Sequence, residues 1–371
     1  MTNKFFGEIR GKFGFGCMRL PMLGEQVDLQ QFEKMVDAFL AAGLNYFDTA
    51  QVYIGGQCET ALRQCMSSRY PSDRFVLTDK LSGSCFETEA DIRPFFQSQL
   101  EACGVDYFDF YLMHAQSAKN FPKYKQCRAY ETAFELKKEG KVHHVGISFH
   151  DSAEVLDRIL TEYPQIEVVQ IQFNYVDYED PIVQSRKVYE TAARHGKPVI
   201  VMEPVKGGKL VELPEEAQKI YDALHGGSNA SYAIRFAAGF ENMMMVLSGM
   251  STLAQLEENV SYMSRFQPLS EKERAAVEQV QKIFSSQGLI PCTACRYCVD
   301  GCPMRISIPD LFSVMNAKKQ FPKSDHNWMY RMRTNERGKA SDCIKCGACE
   351  RICPQHLPVR SLLEEVAAAF E

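Results

Sequence analysis

The sequence predicts an α/β protein, an eight-unit βα barrel followed by a smaller cysteine-rich domain. Three observations point there. From about residue 13 to 263, eight short apolar runs rich in β-branched and aromatic residues alternate with stretches of helical period. Eight such units in ~250 residues are what a (β/α)8 TIM barrel requires, and an open doubly wound sheet rarely runs so long without a break. Eight of the 14 cysteines then crowd between residues 292 and 353.

Taken in order, the expected strands are FGFGCMRL (13–20), LNYFDTA (44–50), RFVLTDKL (74–81), YFDFYLMH (107–114), VHHVGIS (142–148), IEVVQIQFN (166–174), PVIVME (198–203) and MMMVLSG (243–249). Each is followed by a helix, at 28–43, 57–69, 87–103, 127–139, 152–161, 183–194, 229–238 and 252–263. The first of these helices shows the logic best: Asp28 stands at its start as a cap, and Gly43 closes it. A further helix, 270–288, leads to Gly288 and Pro291, the strongest boundary signal in the chain. The division expected is therefore residues 1–287 for the barrel and 288–371 for the cysteine-rich domain. Barrel sites are assembled at the C-terminal ends of strands, and Asp48, Lys80, His114, Ser148 and Gln170 each close or follow an apolar run.

Composition narrows the setting. A chain of 371 residues, 45% hydrophobic, can bury a large core, and a formal charge of −5 implies no general affinity for nucleic acid or membranes. No stretch approaches the ~18 consecutive apolar residues of a membrane span. The N-terminus has scattered charges and no uninterrupted apolar core, so a cytoplasmic protein is expected, in which cysteines stay reduced. Six scattered cysteines read as buried small hydrophobes. The clustered eight read as metal ligands.

Those eight form two copies of Cys-x2-Cys-x2-Cys-x3-Cys-Pro: Cys292, Cys295, Cys298, Cys302 and Cys343, Cys346, Cys349, Cys353. Structural zinc also uses Cys-x2-Cys pairs, but a third cysteine at the same interval and a following proline have no role in a tetrahedral zinc site. In a 4Fe-4S protein, three close thiolates reach three corners of one cubane while the fourth serves the other cluster. Cluster one should thus take Cys292, Cys295, Cys298 and Cys353, and cluster two Cys343, Cys346, Cys349 and Cys302. The segment resembles a bacterial two-cluster 4Fe-4S ferredoxin. Forty residues separate the motifs, including apolar positions at helical spacing in 308–320, so the resemblance is to the α-helical ferredoxin-like type. Residues 316–339 carry seven Lys or Arg against two acidic residues, which offsets cluster charge or offers a docking face to an acidic electron carrier.

The barrel segments NYFDTAQVYIGGQCET (45–60), LTDKL (77–81), YLMHAQ (111–116) and VGIS (145–148) resemble the active-site segments of the aldo-keto reductases, over roughly residues 8–265. The whole chain resembles a ferredoxin-fused member of that family. The resemblance implies a catalytic tetrad of Asp48, Tyr53, Lys80 and His114. Its chemistry is coherent: hydride delivery to a carbonyl leaves an alkoxide that needs a proton, and a phenol can supply it. Lys80 would lower the Tyr53 pKa, Asp48 would keep Lys80 charged, and His114 would direct the carbonyl oxygen.

For a nicotinamide cofactor, NAD(P)H, the resemblance implies contacts from Ser148 and Gln170, stacking at Met202, pyrophosphate beside Gly207 and adenine beside Glu258 and Asn259. Phe149 stands where the family has Asn, and Gly249 and Gln255 lie near the places of the Lys and Arg that grip a 2′-phosphate. Nicotinamide moves two electrons and a 4Fe-4S cluster one, so a flavin at the barrel mouth is a further possible cofactor. The leading expectation is an oxidoreductase reducing a carbonyl or related unsaturated small molecule. The competing one is an electron-transfer subunit with a scaffolding barrel.

Overall fold

The computed structural model describes residues 3–180, 183–286, 288–320 and 325–371. Residue 287, the last of the expected barrel domain, and residues 321–324 of the basic stretch lie outside the described residues. All eight expected strands form: β1 (Phe13–Gly16), β2 (Tyr46–Asp48), β3 (Val76–Leu81), β4 (Phe108–Gln116), β5 (Val142–Phe149), β6 (Val168–Gln172), β7 (Val199–Met202) and β8 (Met243–Ser248). They run parallel in sequential order, and β1 pairs with both β2 and β8 to close the barrel. Nearly every strand residue is buried, because the core fills one face and a ring of helices covers the other.

Local chemistry fixes the helix ends. Asp28 accepts the Gln31 N–H at 3.0 Å to start Leu29–Ala41. Thr88 and Asp91 form a reciprocal capping box on Glu89–Cys103, which ends at Gly104 in the left-handed region (φ 65°). At the N-terminal ends of the strands the interior is packed by Tyr46, Val76, Phe110, Val168, Ile200 and Met245, with Phe5, Phe6 and Ile9 of the first segment against them. That end is sealed, which leaves the C-terminal ends of the strands for chemistry.

Elements beyond those expected form as well, among them a short antiparallel pair, Met22–Leu23 with Gln26–Val27, and a helix, Glu215–Asp222. The first unit leaves its strand at Gly16 and turns through a 3-10 segment, Cys17–Arg19. After β4, between the expected strand 107–114 and the expected helix 127–139, a further helix forms, Phe121–Gln126, with Pro122 in its first turn where a missing N–H costs nothing.

By compactness the chain forms two units, and the second comprises residues 180–183, 205–229 and 270–371. Within it, helix Glu215–Asp222 packs on helix Glu271–Ser286. The cysteine-bearing part is helical, with Ile308–Gln320, Asn327–Thr334, Ala348–Ile352 and Val359–Phe370, and no strand among the described residues. Its core joins Leu311, Phe312, Cys349, Leu357, Leu363 and Val366, against which Cys292, Cys298, Cys302, Cys343 and Cys353 pack. Among the described residues no helix is long and apolar enough to cross a membrane.

Candidate active site and iron-sulfur centres

The ends of β2, β3, β4 and β6 bring the expected polar residues together. Lys80 is 0% exposed, and its ammonium donates to Asp48 Oδ1 at 2.6 Å and to the Thr49 carbonyl at 2.7 Å. The other Asp48 oxygen accepts the Gln170 amide at 2.9 Å. Lys80 Nζ lies 4.9 Å from the centroid of the Tyr53 ring, and that ring meets His114 edge-on at 6.0 Å. Tyr53 enters on a tight turn in which Ile54, a β-branched residue, takes φ 47°, followed by Gly55 at 61° and Gly56 at 87°. Such left-handed backbone for isoleucine is strained, and strain of this kind collects at functional sites.

The environment sets the protonation states. Burial raises the Tyr53 phenol well above its ordinary value, and the Asp48 charge adds to the rise. This reverses the expected lowering by Lys80: Asp48 neutralises the ammonium at hydrogen-bond distance, so desolvation prevails. Burial likewise raises Asp48, against the opposing pull of Lys80 and Gln170. His114 falls well below its ordinary value through burial and then the neighbouring Lys80 charge, so its imidazole is neutral.

Sequence reasoning missed the groups that hold these four. Ser82 Oγ lies 2.6 Å from His114 Nδ1. The signal was present, since Lys80 and Ser82 share one face of an extended chain. The His114 carbonyl accepts from Tyr124 (3.0 Å) and Gln116 (3.1 Å), and a register shift in β4 leaves Ala115 at φ 52°. On β3, Asp79 accepts the Lys80 N–H at 2.7 Å while Gln99 donates to the Lys80 carbonyl at 3.1 Å. Asp79 and Glu59 form a buried, hydrogen-bonded carboxyl pair, both raised chiefly by burial.

The residues assigned to a nicotinamide cofactor are dispersed and partly engaged. Ser148 pairs in register with Gln170, and its hydroxyl accepts the Ala115 N–H at 2.7 Å. Phe149 is buried and Met202 half-buried at the end of β7. Asn259 donates to Ser248 at 3.1 Å and accepts from Tyr262. Gln255 accepts the Ser251 N–H at 2.8 Å, Glu258 is exposed, and Gly249 packs under Arg19, 3.2 Å from where a Cβ would sit. Gly207 is in the left-handed region, and the Thr293 carbonyl lies 2.3 Å from the place of its absent Cβ. The close approach this glycine permits is therefore that of the segment beside Cys292.

In the cysteine-rich part the structure brings Cys353 to the first three cysteines and Cys302 to the last three. One pocket is lined by Cys292, Cys295, Cys298 and Cys353. Another is lined by Cys302, Cys343, Cys346 and Cys349. The Cys298 thiol is raised by burial and then by Cys295, Cys292 and Cys353, which places the same four groups together. The backbone repeats with the motif: Ala294, Arg296 and Arg305 in the first copy and Lys345, Gly347 and His356 in the second all have positive φ. Two pockets of four thiols each, walled mostly by apolar side chains, fit a pair of 4Fe-4S clusters.

Comparison with known proteins agrees with both halves. The profile of the aldo/keto reductase family matches residues 12–282, and that of a 4Fe-4S dicluster domain matches residues 291–357. The chain is 25% identical over 320 residues to the aldo-keto reductase str7 of Strobilurus tenacellus, covering 75% of this chain and 91% of that one. Among solved structures, an aldo-keto reductase of Bacillus halodurans in its holo form superposes with a TM-score of 0.60 at 23% identity, covering 72% of this chain and 91% of that one. An aldo/keto reductase of Klebsiella pneumoniae, solved with NADP and acetate, gives a TM-score of 0.60 at 19% identity, with coverage of 73% and 91%. The chain belongs to the aldo/keto reductase family: it is an oxidoreductase whose barrel is fused to a C-terminal, ferredoxin-like 4Fe-4S dicluster domain.

Proposed function

We propose that the barrel reduces the carbonyl of a small molecule to an alcohol, with Tyr53 as proton donor and NAD(P)H as hydride donor. The observation that carries this is the buried Lys80–Asp48 pair over the Tyr53 ring. A bound NAD(P)H supplies the hydride; the Klebsiella pneumoniae relative, solved with NADP, supports that choice. Tyr53, kept protonated by burial, gives its proton to the carbonyl oxygen as hydride adds to the carbon. Lys80 faces the phenolate that remains and stabilises it, and Asp48 and the Thr49 carbonyl hold the ammonium in place. The cysteine sets Cys292/Cys295/Cys298/Cys353 and Cys302/Cys343/Cys346/Cys349 hold one 4Fe-4S cluster each, and bound clusters move electrons singly.

In this reading Ser82 donates to His114 Nδ1, so the proton of the neutral imidazole sits on Nε2 and points to the substrate oxygen. Ser82→Ala is expected to lower kcat about tenfold, the scale of one hydrogen bond worth ~1.4 kcal/mol. KM should change little, and Ser82→Thr should restore the rate. Equal losses for alanine and threonine would remove Ser82 from the mechanism.

The test of the reaction is isotopic. Anaerobically purified holoprotein is given NADH or NADPH carrying deuterium at C4 of the nicotinamide, together with a panel of aldehydes and α-dicarbonyls. Alcohol products are expected to carry one deuterium on the former carbonyl carbon. Alcohol formed without the label would reject hydride transfer from nicotinamide.

A further inference from the structure

The two cysteine motifs are repeats with a constant offset, so each residue around one cluster site has a counterpart around the other. The counterparts differ in a consistent way. Thr293, inside the first motif, is 1% exposed, whereas its equivalent Ile344 in the second is 60% exposed. Gln355, which follows the proline beside the first cavity, is 2% exposed, and its equivalent Met304 beside the second is 36% exposed. Around the first site these positions are polar and covered, with the Gly207 turn against the Thr293 carbonyl. Around the second they are apolar and bare, and Cys346 is itself exposed.

Basic residues surround this apolar face. Arg305 follows Met304, and Lys345 lies between Ile344 and Cys346. Arg337 is brought alongside by Gly338, where the Met304 carbonyl fills the place of a Cβ at 2.3 Å. Arg351 donates to the Cys346 carbonyl at 3.1 Å. Of the acids nearby, Glu364 pairs with Lys345 at 2.6 Å, Glu350 with Arg360 at 2.8 Å, and Asp342 accepts the Lys339 N–H at 2.8 Å, while Glu336, exposed beside Arg337, is outnumbered by the basic residues of this face. Arg305 and Arg337 form no ion pair among the described residues.

We propose that the face formed by Met304, Ile344, Arg305 and Arg337 docks a small acidic one-electron carrier protein, which exchanges electrons with the chain at the Cys302/Cys343/Cys346/Cys349 site. The inference rests on the cluster assignment above. An apolar centre within a positive rim suits an acidic partner, because the rim steers encounter while the centre supplies contact without burying charge. The step is one electron from the reduced carrier to the cluster, with no bond made and no proton moved.

A plant-type 2Fe-2S ferredoxin, small and acidic, serves as probe, and binding to the holoprotein is read by surface plasmon resonance across a salt series. Wild type is expected to bind more weakly as salt rises, since exposed charges are screened. Arg305→Glu with Arg337→Glu should weaken Kd at least tenfold and flatten the salt dependence, at unchanged iron content and unchanged deuterium transfer in the barrel. Binding that ignores both salt and the double variant would overturn the proposal. So would self-association of wild type, by analytical ultracentrifugation, that the double variant abolishes, because the face would then belong to a second copy. Loss of deuterium transfer in wild type alone would sink the barrel reaction and leave the docking result standing.

Discussion

Tyr53→Phe is expected to cut kcat/KM for carbonyl reduction by ~10²–10⁴-fold, the range that a positioned general acid contributes. The substitution removes one oxygen and keeps the ring that packs against His114 at 6.0 Å and under Lys80 at 4.9 Å, so KM for the carbonyl should change little. Turnover that survives intact would make the barrel a scaffold and the chain an electron-transfer subunit. The pH profile gives an independent check. Tyr53 is raised, so the phenol keeps its proton as pH climbs past the usual ~10; His114 is lowered, so the imidazole stays neutral as pH falls through ~6.5. The reduction rate should therefore be level across the neutral range. Its acid limb belongs to Asp48, whose raised carboxyl is protonated as pH falls through its folded value, leaving Lys80 without a counter-ion.

Cys353→Ser is expected to abolish the cluster of the first motif, although Cys353 lies in the second. Cys353 shares its cavity with Cys292, Cys295 and Cys298, and Cys302 shares its own with Cys343, Cys346 and Cys349. Losing one thiolate of four should release or convert one cubane, removing up to about half of the iron. The electron paramagnetic resonance spectrum of reduced Cys353→Ser should then match that of Cys295→Ser, and Cys302→Ser should match Cys346→Ser. Spectra that group by motif, Cys353→Ser with Cys346→Ser, would mean each motif closes on itself.

The barrel was legible because its strands are buried on both faces and so read as apolar runs such as VIVM, with capped amphipathic helices between them. The stretch 17–19 was not, since Cys17 and Met18 continue an apolar run while the chain already turns. Asp48, Lys80 and His114 stood out as polar residues ending such runs. Ser82 did not, because a serine after a strand is ordinary loop chemistry until a histidine from the next strand is placed 2.6 Å away. The Glu59–Asp79 pair was hidden for the same reason: its two carboxyls come from separate elements. In the cysteine motifs, Gly347 announces a left-handed turn, whereas Arg296 adopts one at the equivalent position with nothing in its chemistry to say so.

Gly207 and its neighbours also carry a consequence for biosynthesis. The segment 205–229 belongs to the compact unit that holds the cysteines, yet it leaves the ribosome more than sixty residues before Cys292 does. Ala217 and Tyr221 of helix Glu215–Asp222 are buried in the finished protein, and the helix they pack with, Glu271–Ser286, is itself made only shortly before Cys292. An apolar helix face therefore waits in the nascent chain for partners, and the Gly207 turn waits for the loop that carries Thr293 beside Cys292. On the proposed cluster assignment, iron supply is then a condition for finishing the fold, and a shortage of it should leave chains with an unfinished seventh connection for chaperones and proteases to find.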